Sequence, residues 1–328
     1  MEDKIRCFIL SETYKIIEND AESFGFIKPS GEINKNSFVN KLISNYYNDY
    51  NNYKLDVLNK INSILNKKSL KNGGLVAEEI LNTVFSTKKD NNGNFVYLDI
   101  KPTKQSIKEL DLIKYNNQNI ALSAYLRNML YDYSVLSQYK REEIIFKNEI
   151  NTIKQAINTH KKIMFRKDGT QYIVSPYKIS AAKDESNNYL LCEWTPFDSK
   201  YKTSPTTFRI SKLENINILS ENATFTSDSI SLFKKIDKYD PSIAYNYTDT
   251  IIKIKLTEDG IKRFNRSKYN KPTPIKIDGN EYFFDCSTDQ IKRFFLPFGP
   301  DLVVLEPKDL RESFISFYKG AYKNYSSN

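Results

Sequence analysis

Between Lys161 and Leu219 cationic and aromatic side chains are interleaved: Phe165-Arg166, Tyr172, Tyr177-Lys178, Tyr189, Phe208-Arg209 and Lys212. Aromatic faces stack unpaired bases at about 1–3 kcal/mol each while Arg and Lys hold phosphates, so this mixture suits a single-stranded nucleic acid, RNA or DNA. The charge placement points the same way. Residues 150–219 carry 11 basic against 6 acidic side chains, or +5 of the whole chain's +9. A local excess of that size favours a polyanionic partner. Two blander readings compete with it: a solvated basic face with no partner, and tyrosines that fill a core with their hydroxyls at its rim. Strand alternation narrows the candidates, because an inward Phe208 puts Arg209 outward, and Arg166 and Lys178 likewise oppose Phe165 and Tyr177.

Other chemistries are poorly provided for. With ten glycines in 328 residues there is no glycine-rich phosphate loop, and no G-x-S-x-G nucleophile motif occurs. His160 is the only histidine, which argues against a His-based triad, nuclease centre or metal site, and reads as a solvated residue at a helix end. Cys7, Cys192 and Cys286 are odd in number and far apart, as expected of small buried hydrophobes in a reducing compartment. Carboxylates such as Glu142-Glu143 look like solvated helix faces. The expectation is therefore a non-enzyme with no catalytic residue, metal or cofactor. No run of eighteen apolar residues occurs and Met1-Glu2-Asp3-Lys4 leads straight into folded-looking sequence, so neither a membrane span nor a signal peptide is expected and the protein reads as cytoplasmic.

The elements that position these residues divide the chain. Its length suggests two or three domains, and 40% hydrophobic with 27% charged residues is a globular composition. Residues 1–138 read as a strand at 4–10, a helix from Glu12 to Phe24 with Ser11 as N-cap, and a helix from about Asn34 past Tyr50. After helices at 53–65 and 75–85, the pattern repeats as a strand at 95–100, a helix through Ile107, Leu110 and Ile113, and a helix from Asn117 to Leu136. A shift of 83 residues sets Asn34, Val39, Ile43, Asp49 and Tyr50 over Asn117, Leu122, Leu126, Asp132 and Tyr133, which reads as a tandem ribbon-helix-helix pair whose strands pair within one chain. On the first strand Lys4, Arg6 and Phe8 would face outward, where such proteins read DNA; on the second, Phe95, Tyr97 and Asp99 would.

A linker helix at 139–160 leads into short alternating strands at 161–219 that suit a small curved sheet or barrel. Glu143 is placed to face Lys147 on that helix. Residues 220–249 read as a linker with one short helix at 229–236. The order strand, helix, strand, strand, helix, strand over 250–328 suggests a ferredoxin-like domain. The class is thus α+β and multi-domain.

Asn188-Tyr189-Leu190, with Ser175-Pro176-Tyr177 upstream and Phe208-Arg209-Ile210-Ser211-Lys212-Leu213 downstream, resembles the WYL domain, an Sm-like small barrel of bacterial regulators. Phe298-Gly299-Pro300 and Val303-Val304-Leu305-Glu306-Pro307 resemble the C-terminal extension that accompanies it, so the resemblance covers about the last 190 residues. A ribbon-helix-helix front followed by this barrel is similar to the WYL accessory proteins of type VI-D CRISPR systems. That resemblance implies binding of single-stranded RNA, enhancement of an RNA-guided ribonuclease, homodimerisation and no catalysis by the accessory itself. It also makes Tyr189 and Arg209 the pocket tyrosine and first arginine, with Lys212 in place of the second arginine and Asn188 in place of the family's Trp. The alternative is a transcription regulator whose front unit binds duplex DNA while the barrel senses a nucleotide or other anionic effector.

Overall fold

The computed structural model describes residues 4–67, 72–85, 94–117, 120–182, 186–196, 203–239, 250–267 and 271–326. The chain is a mixed α+β protein in which three antiparallel sheets carry helices around them. It divides into two compact units, residues 1–148 and 149–328.

The first unit is built on a two-stranded ribbon of β1 (Ile5–Leu10) and β2 (Phe95–Ile100), with Arg6 opposite Asp99 and Phe8 opposite Tyr97. Cys7, Ile9, Leu98 and Ile100 are buried on one side, so Arg6, Phe8, Tyr97 and Asp99 lie on the other. Helices α1 (Ser11–Ser23) and α2 (Lys35–Lys67) follow the first strand; α4 (Ile107–Asn116) and α5 (Leu122–Ser134) follow the second. Helix α1 packs on α2 and α5 while α4 packs on α5 and α2, so the contacts exchange when the two halves are exchanged. Tyr46, Tyr47, Tyr50, Tyr125 and Tyr133 fill the shared core, with Tyr50 edge-on to Tyr125 at 5.6 Å. Asp20 is buried there and Arg141 is partly so: the guanidinium donates to both carboxylate oxygens at 2.6 and 3.0 Å, and the Tyr133 hydroxyl donates to the same carboxylate at 2.7 Å.

Several boundaries differ from the sequence reading. Ser11 is the first helical residue and no side chain caps α1. Helix α2 runs unbroken to Lys67, because its polar Asn-rich middle lowers helix propensity without supplying a Gly or Pro to end it. Helix α5 starts at Leu122, since Asn117 terminates α4. The linker helix is two helices, α6 (Gln138–Ile145) and α7 (Lys147–Asn158), parted at Phe146. There the Asn45 amide donates to the carbonyls of Ile144 and Ile145 at 3.0 and 2.9 Å, and the Phe146 ring packs edge-on to Phe24. Lys147 pairs with Asp49 at 2.9 Å and not with Glu143. The apolar α3 (Gly73–Val84) buries Ala77 and Leu81 and packs on α2.

In the second unit β3 (Lys161–Lys167), β4 (Thr170–Ala181), β5 (Asn188–Thr195), β6 (Ser204–Arg209) and β7 (Glu214–Asn222) form one sheet in the order β6-β5-β4-β3-β7. Asp168 and Gly169, both at positive φ, make the tight β3–β4 hairpin. The two edge strands are joined only by a 3-10 turn at Ile210–Lys212 and Leu213. Such a path spans about 13 Å at the rise of a 3-10 turn, whereas the edges of a flat five-stranded sheet lie about 19 Å apart. The sheet therefore curls toward closure, around a core that includes Ile163, Phe165, Val174, Leu190 and Phe208. Of the stretch read as a linker, residues 220–222 belong to β7 and 227–239 form α8 (Ser227–Tyr239); 240–249 lie outside the described residues.

The C-terminal elements are β8 (Ile252–Leu256), α9 (Glu258–Arg266), β9 (Lys276–Asp278), β10 (Glu281–Phe284), α10 (Thr288–Phe295), β11 (Leu302–Glu306) and α11 (Lys308–Ser326), with sheet order β11-β8-β10-β9. The Thr257 hydroxyl accepts from Gly260 N, and the Ser287 hydroxyl from Gln290 N, capping α9 and α10. Gly260 is needed for a close approach, since a Cβ there would sit 2.4 Å from the Asp301 carbonyl oxygen.

Asp20→Ala leaves the mostly enclosed Arg141 guanidinium without its carboxylate and should cost about 3 kcal/mol in urea denaturation, part of which Arg141→Met in the same chain should restore.

Candidate nucleic-acid interface

Cross-strand register brings the main barrel candidates together. Tyr189 on β5 is directly opposite Arg209 on β6, Ser180 is opposite Tyr189, and Lys178 is opposite Leu191. Directly opposed residues share a face, so Lys178, Tyr189, Leu191 and Arg209 lie on one outer face of the sheet, while Phe208 turns into the core. The register shifts at Tyr177, between Pro176 and Lys178. This bulge changes the expected alternation: Tyr177 packs with Leu191, Phe233 and Ile236 on the face that Lys178 shares, and the two do not oppose each other.

Helix α8 lies against this face. Phe233 stacks on the Tyr177 ring at 4.8 Å, Phe225 meets that ring edge-on at 5.7 Å, and Tyr189 packs on the same cluster. The two tyrosines are thus half-buried walls beside the helix, neither barrel interior nor open stacking platforms. A buried carboxylate holds the helix in place. Glu193 accepts from the Thr226 backbone N–H at 3.0 Å and from its hydroxyl at 3.2 Å, and Thr226 in turn accepts from Ser229 N. Neither Glu193 nor Thr226 stood out in the sequence; the usable signals were Thr226-x-x-Ser229 at a helix start and the Phe233/Ile236 spacing.

Arg209 begins the 3-10 turn and Lys212 ends it, so the two are one tight turn apart on the rim. Lys212 is exposed and lies near the β3–β4 hairpin, where its charge helps hold the Asp168 carboxyl below its usual range; the larger cause is the hydrogen bond from Lys167. Arg166, also exposed, sits across β3 from Glu214 and Gln171. Gln171, Asn215 and Asn217, which sequence reading passed over, gather beside it around a cavity.

On the first unit Lys4, Arg6 and Phe8 do share the outward face of the ribbon, and all three are engaged there. Lys4 and Arg6 pair with Asp99 at 2.7 and 2.9 Å, and the Phe8 ring packs on Phe95 at 4.9 Å and on Tyr97 at 5.0 Å. The hydrogen bond from Arg6, then that from Lys4, keeps the Asp99 carboxyl below the usual carboxylate range. Burial pushes the Cys7 and Cys286 thiols up to about 12 and the Cys192 thiol well above its ordinary value, so none is a thiolate at neutral pH. Among the described residues no three metal-ligating side chains gather, and no helix is long and apolar enough to cross a membrane.

A solved structure described as that of a CRISPR Cas-related protein matches 100% of this chain and 95% of its own, with a TM-score of 0.72 at 22% identity. The two share a fold. A second likeness, to the proteasome accessory factor B/C (PafBC) of Arthrobacter aurescens, covers 70% of this chain and 37% of the other at 15% identity; its TM-score of 0.28 carries no argument. No family model matches the chain, and no curated protein does.

Glu193→Ala should loosen α8 from the barrel: proteolysis within 223–239 should accelerate and the emission of Trp194, the only tryptophan, should shift, with the rest of the fold retained.

Proposed function

We propose that this is a non-enzymatic accessory protein that binds single-stranded RNA on the outer face and rim of the barrel and enhances a CRISPR RNA-guided ribonuclease. In this reading residues 1–138 are a tandem ribbon-helix-helix scaffold, 161–219 a WYL-type barrel with α8 attached, and 250–328 a ferredoxin-like extension. The chain works as a cytoplasmic homodimer without metal or cofactor. The observation that carries it is the Tyr189–Arg209 pair, set side by side by register and continued along one turn to the exposed Lys212. This arrangement offers an aromatic wall to a base and two cations to the flanking phosphates. The shared fold with a CRISPR Cas-related protein supports the cellular setting.

Duplex DNA binding by the front unit is the weaker reading, because Asp99 engages both cations of the outward face and places a carboxylate where a phosphate backbone or base edge would lie.

Arg166→Glu and Lys212→Glu change exposed side chains and should leave the fold intact. Each should weaken binding of a short single-stranded RNA about tenfold or more at low salt and flatten the dependence of log affinity on log salt, measured by fluorescence anisotropy. Arg209→Ala should do the same. Duplex DNA should compete poorly, and Arg6→Ala should leave RNA affinity unchanged. Undiminished RNA binding in all three barrel variants would remove the basis for the proposal.

A further inference from the structure

We infer that the outer face of β4, β3 and β7 is a base-reading subsite that takes an adenine of the bound single strand. The inference rests on the RNA-binding reading above and adds a recognition element to it. Helix α8 packs on the outer face at Leu191 and Tyr177, whereas on β3 Met164 and Arg166 project from another outer patch, with the buried Phe165 between them turned inward. Register puts Gln171 beside Arg166 and Asn217 beside Met164. Asn215 joins them at φ 53°, a left-handed conformation that asparagine tolerates better than most residues. Together they line a cavity of about 350 Å³, within the range of small-ligand sites and large enough for one base with its sugar.

The chemistry of the lining is compatible with that occupant. Three carboxamides converge there, no carboxylate is among the described residues that line the cavity, and each amide offers a donor next to an acceptor. That pairing matches adenine, whose exocyclic amine and ring nitrogen present the complementary pattern to Asn or Gln. The Asn217 amide already donates to the Asn215 carbonyl oxygen at 2.9 Å, which fixes its plane and leaves its own oxygen as an acceptor. Gln171 Nε2 donates to the Met164 sulfur at 2.7 Å, which fixes the Gln171 amide and leaves its oxygen as an acceptor. Arg166, at the exposed margin, supplies the cation for the adjoining phosphate.

The test uses the full chain with fluorescently labelled oligoadenylate and oligouridylate of equal length, titrated at one salt concentration. The wild-type protein should prefer oligoadenylate about tenfold or more, and Asn217→Ala and Gln171→Glu should each bring the ratio toward one. Unchanged melting temperatures would show that these surface variants are folded. Equal wild-type affinity for the two oligomers, or a preference that persists in both variants, overturns the subsite while leaving RNA binding in place. Failure of the wild-type protein to bind either oligomer overturns the RNA-binding reading and the subsite with it.

Discussion

The barrel unit depends on one constraint: the opposite edges of a five-stranded sheet are tied by the 3-10 turn at Ile210–Lys212 and by Leu213. That tether is too short for a flat sheet, so curvature is imposed by connectivity and then filled by side chains. Curling turns Phe165, Leu190 and Phe208 into one interior and leaves an outside that must be either covered or polar. Helix α8 covers one part, clipped by Glu193; amides and cations occupy another. The turn that closes the sheet also carries Arg209 and Lys212, so the closure and the proposed binding rim are the same few residues.

The front unit solves a different problem. A two-stranded ribbon cannot bury both its faces, so four helices cover one of them and meet in a tyrosine-rich core. Placing hydroxyls and an ion pair inside such a core is tolerable because their partners are built in: Tyr133 and Arg141 converge on Asp20, and Tyr46 donates to Asp132. Burial and the neighbouring carboxylate raise the Tyr46 hydroxyl above its ordinary range, so it stays a donor.

What could be read from the sequence follows from period and local chemistry. The intrachain pairing of residues 5–10 with 95–100 was legible because both segments alternate cleanly and an offset repeat surrounds them. The Asp168-Gly169 hairpin and the Thr257 and Ser287 caps were legible because each depends on two or three adjacent residues. The bulge at Tyr177 was not, since alternation assumes an unbroken ladder and nothing in Ser175-Pro176-Tyr177-Lys178 announces the extra residue. Nor was the role of α8, whose Phe233 and Ile236 acquire a partner face only when β5 supplies Leu191 from more than thirty residues upstream. The amide-lined cavity combines β4 and β7 across β3, a neighbourhood that sheet order creates and spacing along the chain does not reveal.

The ribbon of β1 and β2 has a further consequence. A ribbon made by two identical chains is bound by symmetry to present every feature twice, once on each side of its axis. Here one chain supplies both strands, so Arg6 can face Asp99 without the same pair recurring on the other half, and Phe8, Phe95 and Tyr97 can gather at the opposite end. The outward surface therefore has a direction, charged at one end and aromatic at the other. Anything that docks along it meets two unlike ends and has a single preferred heading, which a twofold ribbon could not impose.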